Sequence, residues 1–178
     1  MKFRPTAIDG VWLVGLEPTQ DERGFFARAF CAEEFAARGL NPAVAQCGLS
    51  LTRRRGTLRG MHYQASPYAE AKLVRCIRGA VYDVALDLRP TSTTRGRWVA
   101  FQLDASGLEA LYLPEGIAHG FQALTDDVEL YYQLSRAYHE PASGGVRWND
   151  PAFGIRWPIA DPLLSARDAS FPDFEWRA

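Results

Sequence analysis

The chain reads KLVRCIRGAVYDVALDL from Lys72 to Leu88, and this stretch decides the fold class. Strand-forming residues dominate it, and on a strand its successive side chains would point to opposite faces. Gly79 divides the stretch into two strands, and Arg89-Pro90 ends the second one. Because the gap between the strands is short, the sequence predicts a β-hairpin here.

Two acidic residues, Asp83 and Asp87, lie on the face of the second strand that also carries Val81 and Ala85. A carboxylate in so apolar a strand needs a partner if it is buried. For Asp87, a solvent-facing position is at least as good an explanation.

Further strands are predicted on both sides of this stretch, separated by turns rich in Pro, Gly and Asp. The first half contains one predicted helix, Ala32–Arg38, which ends at Gly39. The segment from Ser165 to Asp168 resembles a capping box and predicts a short last helix. Many short strands with little helix indicate an all-β sandwich or barrel, which we expect to form a single domain, residues 1–178. The other predicted strands are Val11–Leu16, Phe25–Phe30, Val44–Leu51, Trp98–Leu103, Ala110–Leu113, Gly120–Leu124 and Val128–Ser135.

Composition excludes several classes of protein. The 178 residues are 47% hydrophobic and 23% charged, as in ordinary globular proteins, and the net charge of −1 predicts neither nucleic-acid nor membrane-surface binding. No apolar run approaches the roughly 20 residues of a membrane span. The N-terminal segment Met1–Pro5 lacks the apolar core of an export signal, so we expect a cytoplasmic protein.

The sequence motifs predict no metal site or cofactor. The three cysteines are too few and too far apart for a disulfide framework, and the three histidines form no HxH or HExxH pair. Neither GxGxxG nor GxxxxGK[ST] occurs, which disfavours a dinucleotide fold and a phosphate-binding loop.

One strand upstream of Lys72 combines an arginine and a histidine, Arg59 and His62, with Gly60 between them. Histidine is the usual side chain for proton transfer near neutral pH. On a regular strand the two residues would face opposite sides, so a shared site requires a break or bulge near Gly60. The alternative is an edge strand with an exposed arginine and a structural histidine.

Four further residues are candidates for chemistry. Lys72 begins an apolar strand, although a lysine at a strand end can also snorkel to water. His119 enters an apolar strand and could equally be structural. Because side chains alternate between the two faces of a strand, Tyr132 is predicted to point inward with Val128 and Leu130, and Tyr131 outward. Asp168 has a competing explanation in helix capping. Together with Arg59 and His62, these side chains suit the removal of a proton from a carbon next to a carbonyl group, in which cations stabilise the enolate oxygen.

Several motifs in order make the chain resemble the dTDP-4-dehydrorhamnose 3,5-epimerase family. The resemblance runs from about Asp21 to Asp168. It rests on Arg23–Phe26, Leu58–Gln64, Lys72–Arg75, Asp83–Arg89, Pro114–Phe121, Trp148–Pro151 and Leu164–Asp168.

The resemblance implies a cupin-type jelly-roll barrel, a homodimer, and no metal or redox cofactor. It implies inversion of C3 and C5 of a nucleotide-linked 4-keto-6-deoxy sugar. By match of motif, His62 is the base, Asp168 orients it, Tyr132 is the acid and Lys72 holds the C4 oxyanion. The implied substrate-binding residues are Arg23, Phe26, Gln46, Arg59, His119, Tyr138 and Arg167.

Five positions depart from the family pattern, and they cluster where the family contacts the nucleotide. Cys47-Gly48 replaces an Asp-Asn pair, Arg28 and Ser143 replace glutamates, and Gln133 replaces a lysine. They indicate retained chemistry on an altered substrate. The alternatives are a C3- or C5-only epimerase acting on another nucleotide sugar, and a metal-dependent or non-catalytic cupin.

Overall fold

The computed structural model describes residues 1–176 and confirms the all-β prediction. Two short α-helices are present in this part of the chain, α1 (Ala32–Ala36) and α2 (Ala166–Ala169). The strands are β1 (Lys2–Pro5), β2 (Trp12–Gly15), β3 (Thr19–Asp21), β4 (Gly24–Phe26), β5 (Gln46–Thr52), β6 (Leu58–Gln64), β7 (Lys72–Arg78), β8 (Ala80–Asp87), β9 (Trp98–Asp104), β10 (Glu109–Leu113), β11 (Ile117–Ala123), β12 (Val128–Leu134) and β13 (Ser143–Gly145).

Two antiparallel sheets pack face to face as a jelly-roll barrel of the cupin type. The six-stranded sheet has the order β1-β2-β10-β7-β12-β5, and the five-stranded sheet has the order β13-β6-β11-β8-β9. Buried apolar side chains from both sheets fill one end of the space between them, for example Val74 and Leu130 from one sheet and Val81 and Phe121 from the other. Burial of this apolar area is the main favourable term for folding.

The predicted hairpin at Lys72–Leu88 is wrong. Strand β7 lies in the six-stranded sheet between β10 and β12, whereas β8 lies in the five-stranded sheet between β11 and β9. The single residue between the strands, Gly79 at φ 73°, turns the chain around the corner of the barrel. A strand that switches sheets at a corner is common where two sheets pack together. The short gap therefore marks a barrel corner.

The solvent-facing alternative for Asp87 is also wrong, because this residue is fully buried. Its carboxylate accepts hydrogen bonds from Arg89 Nε (2.9 Å), Ser92 Oγ (2.6 Å) and Thr94 Oγ1 (2.7 Å). These donors come from the turn that follows β8, so they compensate the carboxylate and fix the turn.

Segments outside the sheets cover their outer faces. Phe35 of α1 packs against Tyr112 on the six-stranded sheet. The chain after β13 covers the five-stranded sheet with Val146, Phe153 and Ile155, and this wrapping places α2 beside β6. The second predicted strand ends at Phe26 instead of Phe30 and belongs to the small β3–β4 hairpin. No helix in residues 1–176 is long and apolar enough to cross a membrane.

Candidate active site

A cavity of about 310 Å³ opens between the two sheets and collects most of the predicted site residues. The five-stranded sheet contributes Arg59, His62 and His119, and the six-stranded sheet contributes Lys72 and Tyr132. The lining is completed by Ser50, Tyr63, Gln64, Glu70, Phe121, Leu134, Tyr138, Ser143 and Arg167. A wider cleft of about 570 Å³ beside the segment Pro172–Glu175 contains none of the predicted site residues.

Strand β6 is irregular at Gly60, as a shared site for Arg59 and His62 requires. His62 pairs with His119, and Arg59 pairs with Phe121, so three steps on β6 match two steps on β11. This bulge turns Arg59 and His62 to the same side, and both line the cavity. Gly60 has φ 128°, and its peptide bond to Met61 is cis. A Cβ at this position would collide with Gly120 Cα, so the position requires glycine.

The His62 side chain is 38% exposed, so a molecule in the cavity can contact its imidazole. Its Nε2 lies 2.7 Å from Asp168 Oδ1, while Gly60 N donates to Asp168 Oδ2 at 3.3 Å. Burial alone would raise the pKa of the Asp168 carboxyl, but hydrogen bonds from His62 and Gly60 hold it below its ordinary value. The carboxylate thus fixes the ring and leaves the other ring nitrogen available.

The capping explanation and the His62 contact of Asp168 involve different atoms. The backbone N–H of Asp168 donates to Ser165 Oγ at 3.1 Å, which caps α2 as predicted. The carboxylate of Asp168 contacts His62. Helix capping therefore positions the carboxylate and does not compete with its contact to the imidazole.

His119 forms a second, deeper imidazole–carboxylate pair, with Nε2 2.9 Å from Asp83 Oδ1. The His119 side chain is 6% exposed and Asp83 is fully buried. Asp83 is not among the site residues predicted from the sequence. Its position as an acid in an apolar strand is nevertheless the signal that could have done so, because a buried carboxylate requires a partner.

Lys72 and Glu70 form a buried ion pair at the cavity wall, with Nζ and Oε1 3.2 Å apart. Lys72 Nζ also donates to the His62 carbonyl oxygen at 3.1 Å. Burial lowers the pKa of Lys72, whereas the charges of Glu70 and Asp83 raise it in part. Glu70 is not among the site residues predicted from the sequence, because it precedes the strand and belongs to none of the motifs named above.

Tyr132 faces His119 across the cavity at a ring-centroid distance of 6.1 Å. Burial raises the pKa of Tyr132 and the Asp83 charge raises it further, whereas Ser50 and Arg59 lower it. The phenol is therefore protonated at neutral pH. Tyr131 is absent from the cavity lining, in agreement with the period-two prediction.

The mouth of the cavity is formed by cationic and aromatic side chains. Arg59 is fixed by hydrogen bonds from Nε to Thr52 Oγ1 and from Nη2 to the Leu51 carbonyl oxygen, both 3.1 Å. Arg167 Nη2 donates to Ser143 Oγ at 2.8 Å, and Ser143 is the one departure from the family pattern that lines this cavity.

Three predicted substrate-binding residues do not line the cavity. Gln46 accepts a hydrogen bond from the backbone N–H of Tyr138 at 2.9 Å, so it contacts the rim residue and not the cavity. Arg23 and Phe26 lie on the exposed β3–β4 hairpin and line a separate surface depression. Within one chain, the structure does not bring these two residues to the cavity.

Among residues 1–176, no group of three or more His, Cys, Asp or Glu side chains is arranged to hold a metal ion. The two histidine–carboxylate pairs of the cavity engage His62 and His119 separately.

Comparisons with known proteins agree on one family. The family model for dTDP-4-dehydrorhamnose 3,5-epimerase matches residues 5–175. The dTDP-4-dehydrorhamnose 3,5-epimerase of Shigella flexneri is 43% identical, covering 98% of this chain and 96% of that protein. The dTDP-4-dehydrorhamnose 3-epimerase of Streptomyces niveus is also 43% identical, covering 94% and 81%. The crystal structure of the 3,5-epimerase from Elizabethkingia anophelis superposes with a TM-score of 0.94 at 36% identity, covering 98% and 96%.

Proposed function

Because this chain belongs to the dTDP-4-dehydrorhamnose 3,5-epimerase family, we propose that it is an isomerase that inverts C3, C5 or both in a dTDP-linked 4-keto-6-deoxy sugar. One observation carries the proposal. The reachable imidazole of His62 and the protonated phenol of Tyr132 face one cavity from opposite sheets, and the buried ammonium group of Lys72 lines the same cavity.

The geometry supports a proton exchange through an enolate. Both C3 and C5 are next to the C4 ketone, so His62 removes a proton and the bonding electrons move towards the C4 oxygen. Lys72 donates a hydrogen bond to the resulting oxyanion. Tyr132 then donates a proton to the same carbon from the opposite face, which inverts the centre. The phenolate of Tyr132 and the imidazolium of His62 return to their starting states by proton exchange with solvent.

The remaining cavity residues are proposed to bind and orient the substrate. Asp168 holds the His62 ring, and Asp83 holds His119 towards the sugar ketone. Arg59 and Arg167 provide guanidinium groups at the mouth, which suit the diphosphate because they donate in a planar fork. Tyr138, half exposed at the rim, provides an aromatic face for the nucleotide, and Gln46 supports it.

We also propose that the active form is a homodimer. Arg23 and Phe26 match family positions that bind substrate but lie outside the cavity of their own chain, so a second copy is needed to bring them to one. The outer face of β5 and β7 carries Leu49, Leu51 and Ile77, which are 64%, 39% and 44% exposed. Exposed apolar side chains of this size favour contact with another chain.

The proposed enzyme is a single domain that works in the cytoplasm. The thiols of Cys31, Cys47 and Cys76 are all free, which is typical of proteins in a reducing compartment.

Incubation of the enzyme with dTDP-4-keto-6-deoxyglucose in D₂O tests the proposed reaction. We expect deuterium at C3 and C5 if both carbons are inverted, and at C3 alone if the chain acts like the 3-epimerase relative. Absence of label at both carbons would overturn the proposal. The same incubation with a UDP-linked sugar tests whether the departures from the family pattern change the choice of nucleotide.

A further inference from the structure

The chain contains two lysines, Lys2 and Lys72, against eighteen arginines. Lys2 is exposed, whereas Lys72 is 8% exposed and lines the cavity. An ammonium group loses most of its hydration on burial and is retained as a cation only when partners replace the water. The charge of Lys72 therefore depends on the groups that replace this hydration.

Two of the three ammonium protons of Lys72 have acceptors in the chain. One N–H donates to the His62 carbonyl oxygen at 3.1 Å, and another faces Glu70 Oε1 at 3.2 Å. These two contacts hold Nζ at the cavity wall and leave its third N–H free to bind a ligand. The lysine head group is thus held by fixed acceptors before substrate binds.

Glu70 is itself 8% exposed, and its Oε2 has no hydrogen-bond partner in residues 1–176. A buried carboxylate with a single compensating cation depends on that cation, because an unpaired buried charge is strongly unfavourable. Glu70 and Lys72 therefore form a mutually dependent pair on the cavity wall.

The other charged and titratable groups around Lys72 do not replace Glu70. Asp83 on β8 also favours the cation, but it already faces His119. His62 on β6 is engaged by Asp168, His119 on β11 by Asp83, and Tyr132 on β12 is a protonated phenol. Arg59 on β6 is a like charge that lines the same cavity. Glu70 is the carboxylate in direct contact with Lys72.

We infer that Glu70 is a positioning residue, whose carboxylate keeps Lys72 an ammonium ion and directs its remaining N–H to the substrate oxyanion. This inference rests on the proposed function, because Lys72 is given its oxyanion role there. It predicts that the charge of Glu70, and not only its hydrogen bond, is needed at high pH.

NMR titration tests the inference without any need for catalysis. With lysine labelled at ¹³Cε, the protein gives two signals, and exposed Lys2 is an internal reference. In Glu70→Gln we expect Lys72 to titrate at least about one pH unit lower than in the native protein, since loss of an adjacent opposite charge shifts a pKa by roughly 1–3 units. Lys2 should not move. The control Glu109→Gln, which removes an exposed carboxylate paired with Arg4, should leave both signals unchanged.

The pH profile of solvent exchange gives the second readout. The alkaline limb of kcat should move to lower pH in Glu70→Gln by the same shift, with little change in KM for the sugar nucleotide. The inference would be overturned if Lys72 in Glu70→Gln titrated at the same pH as in the native protein. It would also be overturned if the alkaline limb of kcat did not move. A native protein without solvent exchange would overturn the proposed function instead, while the NMR result would still decide the role of Glu70.

If Glu70→Gln does not fold, the pair is tested through stability. Lys72→Met leaves the Glu70 carboxylate uncompensated, so we expect its melting temperature to fall. The double variant Glu70→Gln/Lys72→Met should recover much of that loss. A double variant no more stable than Lys72→Met would contradict the mutual dependence of the two charges.

Discussion

At the scale of single residues, the cavity contains two imidazole–carboxylate pairs that differ in access. His62 with Asp168 is 38% exposed, whereas His119 with Asp83 is 6% exposed. A general base must reach the proton it removes, so the difference in exposure favours the proposed assignment of the base to His62. The sequence does not show this difference in exposure, because burial depends on the packing of the sheets.

Replacement of the base and of its partner should have unequal effects. We expect His62→Ala to lower deuterium exchange at both carbons by roughly 10²–10⁴-fold, because it removes the proton acceptor. Asp168→Ala should lower deuterium exchange by a smaller factor, since it removes only the carboxylate that orients the imidazole. Exchange rates in D₂O measure both.

Ser165→Ala is the matched control for Asp168→Ala. It removes the helix cap but keeps the carboxylate, so it should cost about 1 kcal/mol of stability and little activity. An activity loss in Ser165→Ala equal to that in Asp168→Ala would show that Asp168 acts through the helix alone.

The adjacent tyrosines of β12 distinguish the two faces of the strand. Tyr132→Phe should still permit some deprotonation but impair inversion, because the donor on the opposite face is lost. Tyr131→Phe should change neither rate, as Tyr131 does not line the cavity. Product analysis beside deuterium exchange separates the two steps. A larger defect in Tyr131→Phe would contradict the assignment of the acid to Tyr132.

At the scale of secondary structure elements, the bulge in β6 is what unites Arg59 and His62. A regular strand would place them on opposite faces, and the register shift against β11 prevents this. The glycine between the two residues is visible in the sequence. Whether β6 bulges depends on its pairing with β11, so the sequence alone leaves both alternatives open.

Substitution of the bulge glycine should be severe. Gly60→Ala places a Cβ against Gly120 Cα and within 2.8 Å of the His119 carbonyl oxygen, so we expect a loss of at least about 2 kcal/mol in urea unfolding. Gly24→Ala is the control, because Gly24 has the same φ of 128° but no atom within 4 Å of the added methyl group. Equal losses in the two variants would mean that backbone conformation, and not the close approach of β11, explains the effect.

Asp87, at the end of β8, makes the stability of the folded protein depend on pH at acid values. Burial would raise the pKa of Asp87, but hydrogen bonds from Arg89, Ser92 and Thr94 lower it from 3.8 to about 2. Because the pKa is lower in the folded protein, ionised Asp87 stabilises the fold by about 2 kcal/mol. This contribution is fully present above about pH 4 and is lost as the pH falls through about 2.

Asp87→Asn tests this link through urea unfolding as a function of pH. We expect Asp87→Asn to be less stable than the native protein at pH 7, and the difference between the two proteins to shrink as the pH falls towards 2. A difference that stays constant over this range would rule out the contribution of the carboxylate.

At the scale of the whole molecule, two residues that the family resemblance assigns to substrate binding line a surface depression separate from the cavity of their own chain. Arg23 and Phe26 lie on an exposed hairpin, with the Phe26 side chain 78% exposed. A sequence motif shows that such residues are present but not which copy of the chain they serve. A second chain is the simplest way to bring them to a cavity.

Disruption of the apolar outer face should separate the proposed dimer. Leu49→Asp places a charge on the face shared with Leu51 and Ile77, so we expect a monomer in sedimentation equilibrium and a loss of solvent exchange. Leu163→Asp changes a leucine that is 51% exposed outside this face and should leave both properties unchanged. A Leu49→Asp protein that remains dimeric would exclude this face as the interface.

The sequence by itself determined the all-β class, most strand positions, the inward face of Tyr132 and most of the cavity residues. These follow from local properties, namely side-chain period, turn residues and motif spacing. Tertiary structure alone decided that Gly79 is a barrel corner, that Asp87 is buried, and that Glu70 and Asp83 hold Lys72 and His119. Each of these depends on which strands become neighbours, and strand pairing between distant segments is fixed by burial across the whole barrel and not by any local stretch of sequence.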